Sequence, residues 1–215
     1  MWPPLRTGLK RLIFRAMPAS RLLRRGPRDR KRVALTFDDG PCPMTIELLD
    51  LLDQLNVPAT FFVVGDRAEN YPELLGEYVR RGHQVAAHGY DHQRFTALSI
   101  GELDEQLRRT ELAIGLQRTL HPWVRPPYGA LGAASLAQLA GTGRVVAMWS
   151  FDSEDYTRRD PSDLIARCSP TAIGAGDVVL FHEEQAWTCA ALPTIVAQLR
   201  AAGFEFVTMA DLFDA

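Results

Sequence analysis

The chain has 215 residues, 47% hydrophobic and 23% charged, with a net charge of −2. That length supports one domain with a substantial core, and that composition excludes wholesale disorder. No apolar run reaches the ~20 residues that span a bilayer. Residues 1–32 sum to +10 and the remainder to −12, which excludes a nucleic-acid-binding body.

Residues 1–30 read as a basic amino-terminal arm ahead of one folded domain, residues 31–215. Lys10, Arg11 and Arg15 interrupt every apolar stretch that could serve as a secretory signal. Leu9, Leu12, Ile13, Met17, Leu22 and Leu23 fall near helical spacing, broken at Pro18. The pattern suits a basic amphipathic segment on an anionic membrane surface, and equally a solvated arm. Without a recognised signal the expected place is the cytoplasm or the inner membrane face, with secretion by an unrecognised route as the alternative.

From residue 33 strands and helices alternate. Val33–Phe37 reads as a strand, Met44–Asn56 as a helix with one apolar face, and Ala59–Val64 as a buried strand. Arg67–Arg81 reads as one helix stopped by Gly82, and Gln84–Ala87 as a strand. Ser99–Leu116 follows as a helix, opened by a Ser99/Glu102 capping box. Next come an extended Trp123–Arg125, a helix over Leu131–Ala140 and a strand over Val145–Trp149. Pro161–Cys168 reads as a helix, Asp177–Phe181 as a strand, Thr188–Ala202 as a helix and Phe204–Thr208 as the last strand. Strands separated by helices imply a parallel sheet with right-handed crossovers, here about seven units closing into a distorted barrel. Sites in such folds form at the carboxyl ends of the strands.

The polar residues gather at those ends. Asp38 and Asp39 leave the first buried strand side by side; paired carboxylates there are costly unless a cation is present. Neighbouring side chains diverge, so one can bind a cation while the other moves protons. His88 and His92 follow the Gln84–Ala87 strand at a spacing that can converge on one metal, and imidazole suits Zn2+. Two His and one carboxylate leave open positions, as in a catalytic site. Arg125-Pro126-Pro127-Tyr128-Gly129 forms a stiff loop whose Arg can clamp a carboxylate. Trp149–Tyr156 is a fourth polar segment, and His182, ending Leu180-Phe181-His182, is a candidate acid or base. His83 and His121 lie outside these clusters and read as structural. Cys42, Cys168 and Cys189 are odd in number and lack CxxC spacing, so neither a disulfide framework nor a cysteine metal site is expected.

Taken together and in order, these five segments resemble the polysaccharide deacetylases with a NodB-homology domain, carbohydrate esterase family four, from about Val33 to Phe213. The resemblance implies a distorted (β/α)7-type barrel and a metal-dependent hydrolase that removes N-acetyl groups from poly- or oligosaccharides. It makes Asp38 the general base and Asp39, His88 and His92 the ligands of one divalent ion: Zn2+ first, with Co2+, Ni2+ or Mn2+ as substitutes. Arg125 would orient Asp38, and the Tyr128 backbone N–H would serve the oxyanion. Asp152 would support Arg125 or tune the catalytic His, and His182 would be the general acid. Leu180, Pro127 and Tyr156 would line the substrate pocket. The implied partner is an acetylated or lipid-linked glycan. An O-acetyl esterase, a lipid-linked sugar deacylase and an inactive carbohydrate-binding domain are the alternatives. An Asp-nucleophile phosphatase fits poorly, because its aspartates stand two residues apart and the His pair would have no role. Two positions depart from the family pattern: Gly89 replaces the usual Ser or Thr, and Tyr156 replaces a frequent Trp.

Overall fold

The computed structural model describes residues 21–115 and 122–214. Leu9, Leu12, Ile13, Met17 and His121 lie outside the described residues. In chain order the first elements are β1 (Leu22–Leu23), β2 (Arg32–Gly40), α1 (Thr45–Leu55) and β3 (Thr60–Val63). They are followed by α2 (Gly65–Asn70), α3 (Pro72–Arg80), β4 (Gln84–Ala87), α4 (Ile100–Ala113), β5 (Trp123–Val124) and α5 (Ala133–Gly141). The rest are β6 (Val145–Ala147), β7 (Phe151–Asp152), α6 (Pro161–Arg167), β8 (Val178–His182), α7 (Ala186–Ala201), β9 (Glu205–Phe206) and α8 (Met209–Phe213).

The strands form one sheet in the order β1-β6-β5-β4-β3-β2-β8-β7, with β9 added to the start of β2. Every strand pairing is parallel, as the helical crossovers require. The sheet curls on itself. β6 and β7 stand near opposite ends of that order, yet only residues 148–150 separate them, a reach of at most about 14 Å. The chain after β1 completes the closure: Gly26 N–H donates to Gly176 O at 2.8 Å, and Arg25 pairs with buried Asp177. The fold is the distorted (β/α) barrel that the sequence implies.

Strand alternation decides which side chains enter the barrel. Val33, Leu35 and Phe37 of β2 face outward and pack under Leu48, Leu49 and Leu52 of α1 and Ile195 and Leu199 of α7. Phe37 stacks with Phe61 at 5.3 Å and with Phe181 at 5.7 Å, locking β3, β2 and β8 together. Thr36 and Asp38 take the opposite, inward face. The Ser99/Glu102 capping box is present at the start of α4.

Three expectations change. The helix read over Arg67–Arg81 is two helices, because Pro72 cannot continue α2 and instead occupies the first turn of α3. Leu22 and Leu23, read as part of an amphipathic arm, form β1 against Val146 and Ala147 of β6. Leu22 and Leu23 thus belong to the described sheet, because β6 offers a strand edge that needs a partner. The two-residue β7 and the closing helix α8 carry no periodic signal in the sequence.

Candidate active site

Six strand ends, those of β2, β4, β5, β6, β7 and β8, open into one cavity of about 340 Å³. Asp38, Asp39, His88, His92, Tyr128, Trp149, Asp152, Tyr156, Leu180, His182, Glu184 and Gln185 line it. A larger groove, about 590 Å³, lies between α1 and α7, lined by Ile46, Glu47, Asp50, Leu51, Gln54 and Cys189.

Asp39, His88 and His92 present one oxygen and two nitrogens within 4.8 Å of one another. His92 Nε2 is 3.0 Å and His88 Nε2 3.5 Å from Asp39 Oδ1. His88 Nδ1 lies 2.8 Å from the Arg125 carbonyl oxygen, so Nδ1 carries the proton and Nε2 turns a lone pair toward Asp39. Complete burial lowers the His88 pKa and keeps the ring neutral, outweighing the pull of Asp38 and Asp39. Asp39 Oδ1 is buried and receives no hydrogen bond. An acceptor oxygen and two imidazole nitrogens facing one point suit a divalent cation.

The backbone here is held in an uncommon form. Asp39, His92 and Tyr128 all adopt left-handed conformations, with φ of 71°, 58° and 58°. Arg67 helps to hold the first by donating to the Asp39 carbonyl while pairing with Glu184 at 3.1 Å. Gly89 has φ 79°, where a side chain would be strained. The bracing that a Ser or Thr would give comes from the backbone: Gly65 N–H donates to Gly89 O at 3.0 Å and Asp66 N–H to Tyr90 O at 2.8 Å.

Asp38 stands on one side of this cluster. Arg125, fully buried, donates from Nη1 to Asp38 Oδ1 at 2.6 Å. Its remaining donors go to Thr36 Oγ1 and to the Ala147 and Met148 carbonyls, and its plane stacks 3.8 Å from the Phe62 ring. Asp38 Oδ2 is left facing the cluster, 3.6 Å from His88 Nε2.

His182 stands on the other side, in register with Asp38 across β2 and β8. Its Nδ1 is 2.7 Å from Asp155 Oδ1. Burial alone would lower its pKa. The hydrogen bond and charge of Asp155, with Asp38 and Asp39 beyond, prevail and raise it to about 9.

Two sequence assignments are corrected. Asp152 does not support Arg125, whose donors are directed elsewhere; it acts on His182 through charge alone, while Asp155 makes the hydrogen bonds. The turn at Glu154, with φ 61°, swings Asp155 under the imidazole and leaves Asp152 on the cavity wall. Pro127 does not line the cavity; it is buried behind Gly89, 3.4 Å from where a Cβ there would stand. Asp155, Trp149, Glu184, Gln185 and Arg67 carried no individual assignment. Of these, Trp149 and Asp155 fall in the fourth polar segment, Trp149–Tyr156, and the others left no trace in the sequence. Cys42, Cys168 and Cys189 are all free thiols.

The polysaccharide deacetylase family model matches residues 25–147 of this chain. The chain belongs to the polysaccharide deacetylase family. Its relatives include a peptidoglycan-N-acetylglucosamine deacetylase of Listeria monocytogenes, 36% identical over 85% of this chain. The chain spans 39% of that relative's length. A chitooligosaccharide deacetylase of a Bradyrhizobium strain is 35% identical, over 85% of this chain and 90% of its own length. Among solved polysaccharide deacetylase folds, a family 4 carbohydrate esterase from Streptomyces lividans in complex with acetate superposes with a TM-score of 0.76. It is 34% identical and covers 82% of this chain and 91% of its own.

Proposed function

We propose that this chain is a divalent-metal-dependent hydrolase that removes N-acetyl groups from N-acetylglucosamine-containing glycans. One observation carries the reading. The Asp39–His88–His92 cluster lies between two differently equipped proton-transfer groups, Asp38 fixed by Arg125 and His182 fixed by Asp155. The relatives' named substrates, peptidoglycan and chitooligosaccharides, support the sugar class.

Asp39, His88 and His92 would hold the ion, and their oxygen and imidazole donors favour Zn2+. When bound, it supplies a Lewis acid that polarises the amide carbonyl and acidifies water. Asp38 Oδ2, free on the cavity side, accepts the proton of the attacking water. The Tyr128 ring stands 4.6 Å from that of His92 on the cavity wall, and its backbone N–H would donate to the oxygen that gains charge. His182, protonated at neutral pH and held by Asp155, delivers a proton to the departing nitrogen. Amide C–N cleavage then yields acetate and an amino sugar.

The test is acetate release from a panel of N-acetylated chitooligosaccharides, peptidoglycan fragments and an O-acetylated xylan, with Zn2+ added or stripped. Zn2+-dependent release from the N-acetyl substrates is expected. Release confined to the O-acetyl substrate, or unchanged after stripping, rejects the reading.

A further inference from the structure

The strand register sets a depth scale inside the cavity. Asp38 is level with His182, and Thr36 with Leu180, across β2 and β8. Asp152 of β7 is level with Leu180. Leu180 and Asp152 thus lie two residues below the plane of Asp38 and His182, about 6–7 Å further into the barrel. Substrate enters above the strand ends. The bond to be broken must lie between base and acid, so the part of the acyl group beyond its carbonyl carbon is what extends toward Leu180 and Asp152.

That floor is half polar. Leu180 is a buried apolar wall. Asp152 beside it is partly buried, and its Oδ1 accepts only the Glu154 N–H, at 2.9 Å. The Tyr156 hydroxyl reaches the same carboxylate, and its ring stands edge-on to His182 at 5.4 Å. No Lys or Arg is among the residues that line the cavity. Burial raises the Asp152 pKa above its ordinary value. A methyl group pressed against this carboxylate would remove it from water and return nothing. An acyl group that ends in a hydroxyl would supply a further donor.

We infer that Asp152, with Tyr156, forms a polar acyl subsite, and that the chain hydrolyses N-glycolyl as well as N-acetyl amino sugars. The hydroxyl of the hydroxyacetyl group donates to Asp152. This inference rests on the deacetylase reading and extends it to the acyl group. The chemistry balances with water alone: the C–N bond breaks, a C–O bond forms from one water, and the nitrogen takes up a proton. Glycolate leaves in place of acetate.

The test uses the full-length, Zn2+-loaded protein and matched N-acetyl and N-glycolyl chitotetraose, with amine release as the signal. The ratio of kcat/KM values, glycolyl over acetyl, is expected to be one or more. Asp152→Leu is expected to lower that ratio by roughly tenfold or more, since it removes a hydrogen-bond acceptor that only the glycolyl group uses. Tyr156→Phe should move it in the same direction by less. A second measurement does not depend on any variant folding: glycolate should inhibit acetate release at a lower concentration than acetate does. A wild-type ratio below about 0.1, or equal inhibition by the two acids, overturns the inference. So does an Asp152→Leu protein that loses both activities in proportion, which assigns the carboxylate to a sugar hydroxyl. No turnover of either substrate rejects the deacetylase reading itself and the acyl subsite with it.

Discussion

Asp155 holds His182 at two points: Oδ1 lies 2.7 Å from the imidazole Nδ1, and Oδ2 accepts the backbone N–H of the same residue at 2.7 Å. Thr188 donates to Oδ2 as well, at 3.0 Å, so the carboxylate is fixed before the imidazole is. Ring, backbone and charge are therefore set by a single side chain that solvent does not reach.

The first expectation follows from that grip. His182 has a pKa raised to about 9, so it is protonated below that pH and loses its proton as pH rises through it. In metal-free Asp155→Asn protein the His182 titration, followed by NMR, should fall to about 6.5 or lower. In the metal-loaded variant, kcat at pH 8 should fall by about 10² or more, as for loss of a general acid. An unchanged titration would remove Asp155 from this role.

Adjacent aspartates should fail differently. Asp38→Asn is expected to keep the metal and lose about 10² or more in kcat. Asp39→Asn should weaken metal affinity first, and His92→Ala should abolish both stoichiometric binding and turnover. Calorimetric Zn2+ titration beside acetate release separates the cases; identical behaviour of the two Asp variants contradicts the division of labour.

A third expectation concerns stability. Glu183 is buried under the Asp38–Asp39 turn, where its Oε1 accepts hydrogen bonds from Tyr78 and Thr45. Burial outweighs those hydrogen bonds and pushes its pKa up from 4.5 to about 7. The folded protein thus keeps a proton that the unfolded chain releases near pH 4.5. The resulting stability is complete below pH 4.5 and is lost as pH rises through 7, a swing of about 3 kcal/mol. Glu183→Gln should flatten that slope and exceed the wild type in stability at pH 8. Urea unfolding at pH 5 and pH 8 measures it, and parallel pH dependences would refute it.

The basic arm divides at Arg21. We propose that residues before it attract the chain to anionic membranes. Deleting residues 1–20 should abolish salt-sensitive binding to phosphatidylserine vesicles while preserving activity on soluble oligosaccharides. Deleting residues 1–29 should in addition lower stability by about 2–3 kcal/mol, since it removes β1 and leaves buried Asp177 without Arg25. Equal vesicle binding by the full chain and the shorter deletion would exclude the arm as an anchor.

Much of this architecture was legible because it is carried by local pattern. Ala59–Val64 is apolar throughout, and Ile46 to Leu55 repeats at helical spacing; such segments declare themselves. Leu22–Leu23 does not, because a two-residue strand among arginines exists only through the edge of β6. Phe151–Asp152 is equally dependent on β8. The site followed the same division. Asp38, Asp39, His88, His92 and His182 sit at strand ends that periodicity locates. The choice between Asp152 and Asp155 turns on a left-handed residue at Glu154, a non-glycine in which nothing announces that conformation.

The Arg125–Asp38 pair constrains how this chain could ever fall silent. A guanidinium with no solvent exposure, lodged across the barrel lumen and stacked on Phe62, needs a counter-charge. Removing Asp38 alone strands that cation at a cost of about 3–5 kcal/mol, a large fraction of what holds a domain of this size together. Drift toward an inactive descendant therefore has a narrow gate: the base and its cation must disappear together or in quick succession. The double replacement Asp38→Leu with Arg125→Met should unfold at a higher urea concentration than Asp38→Leu alone, while neither releases acetate. In this barrel the Asp38 carboxylate is also a structural obligation, the counter-charge of a guanidinium that solvent does not reach.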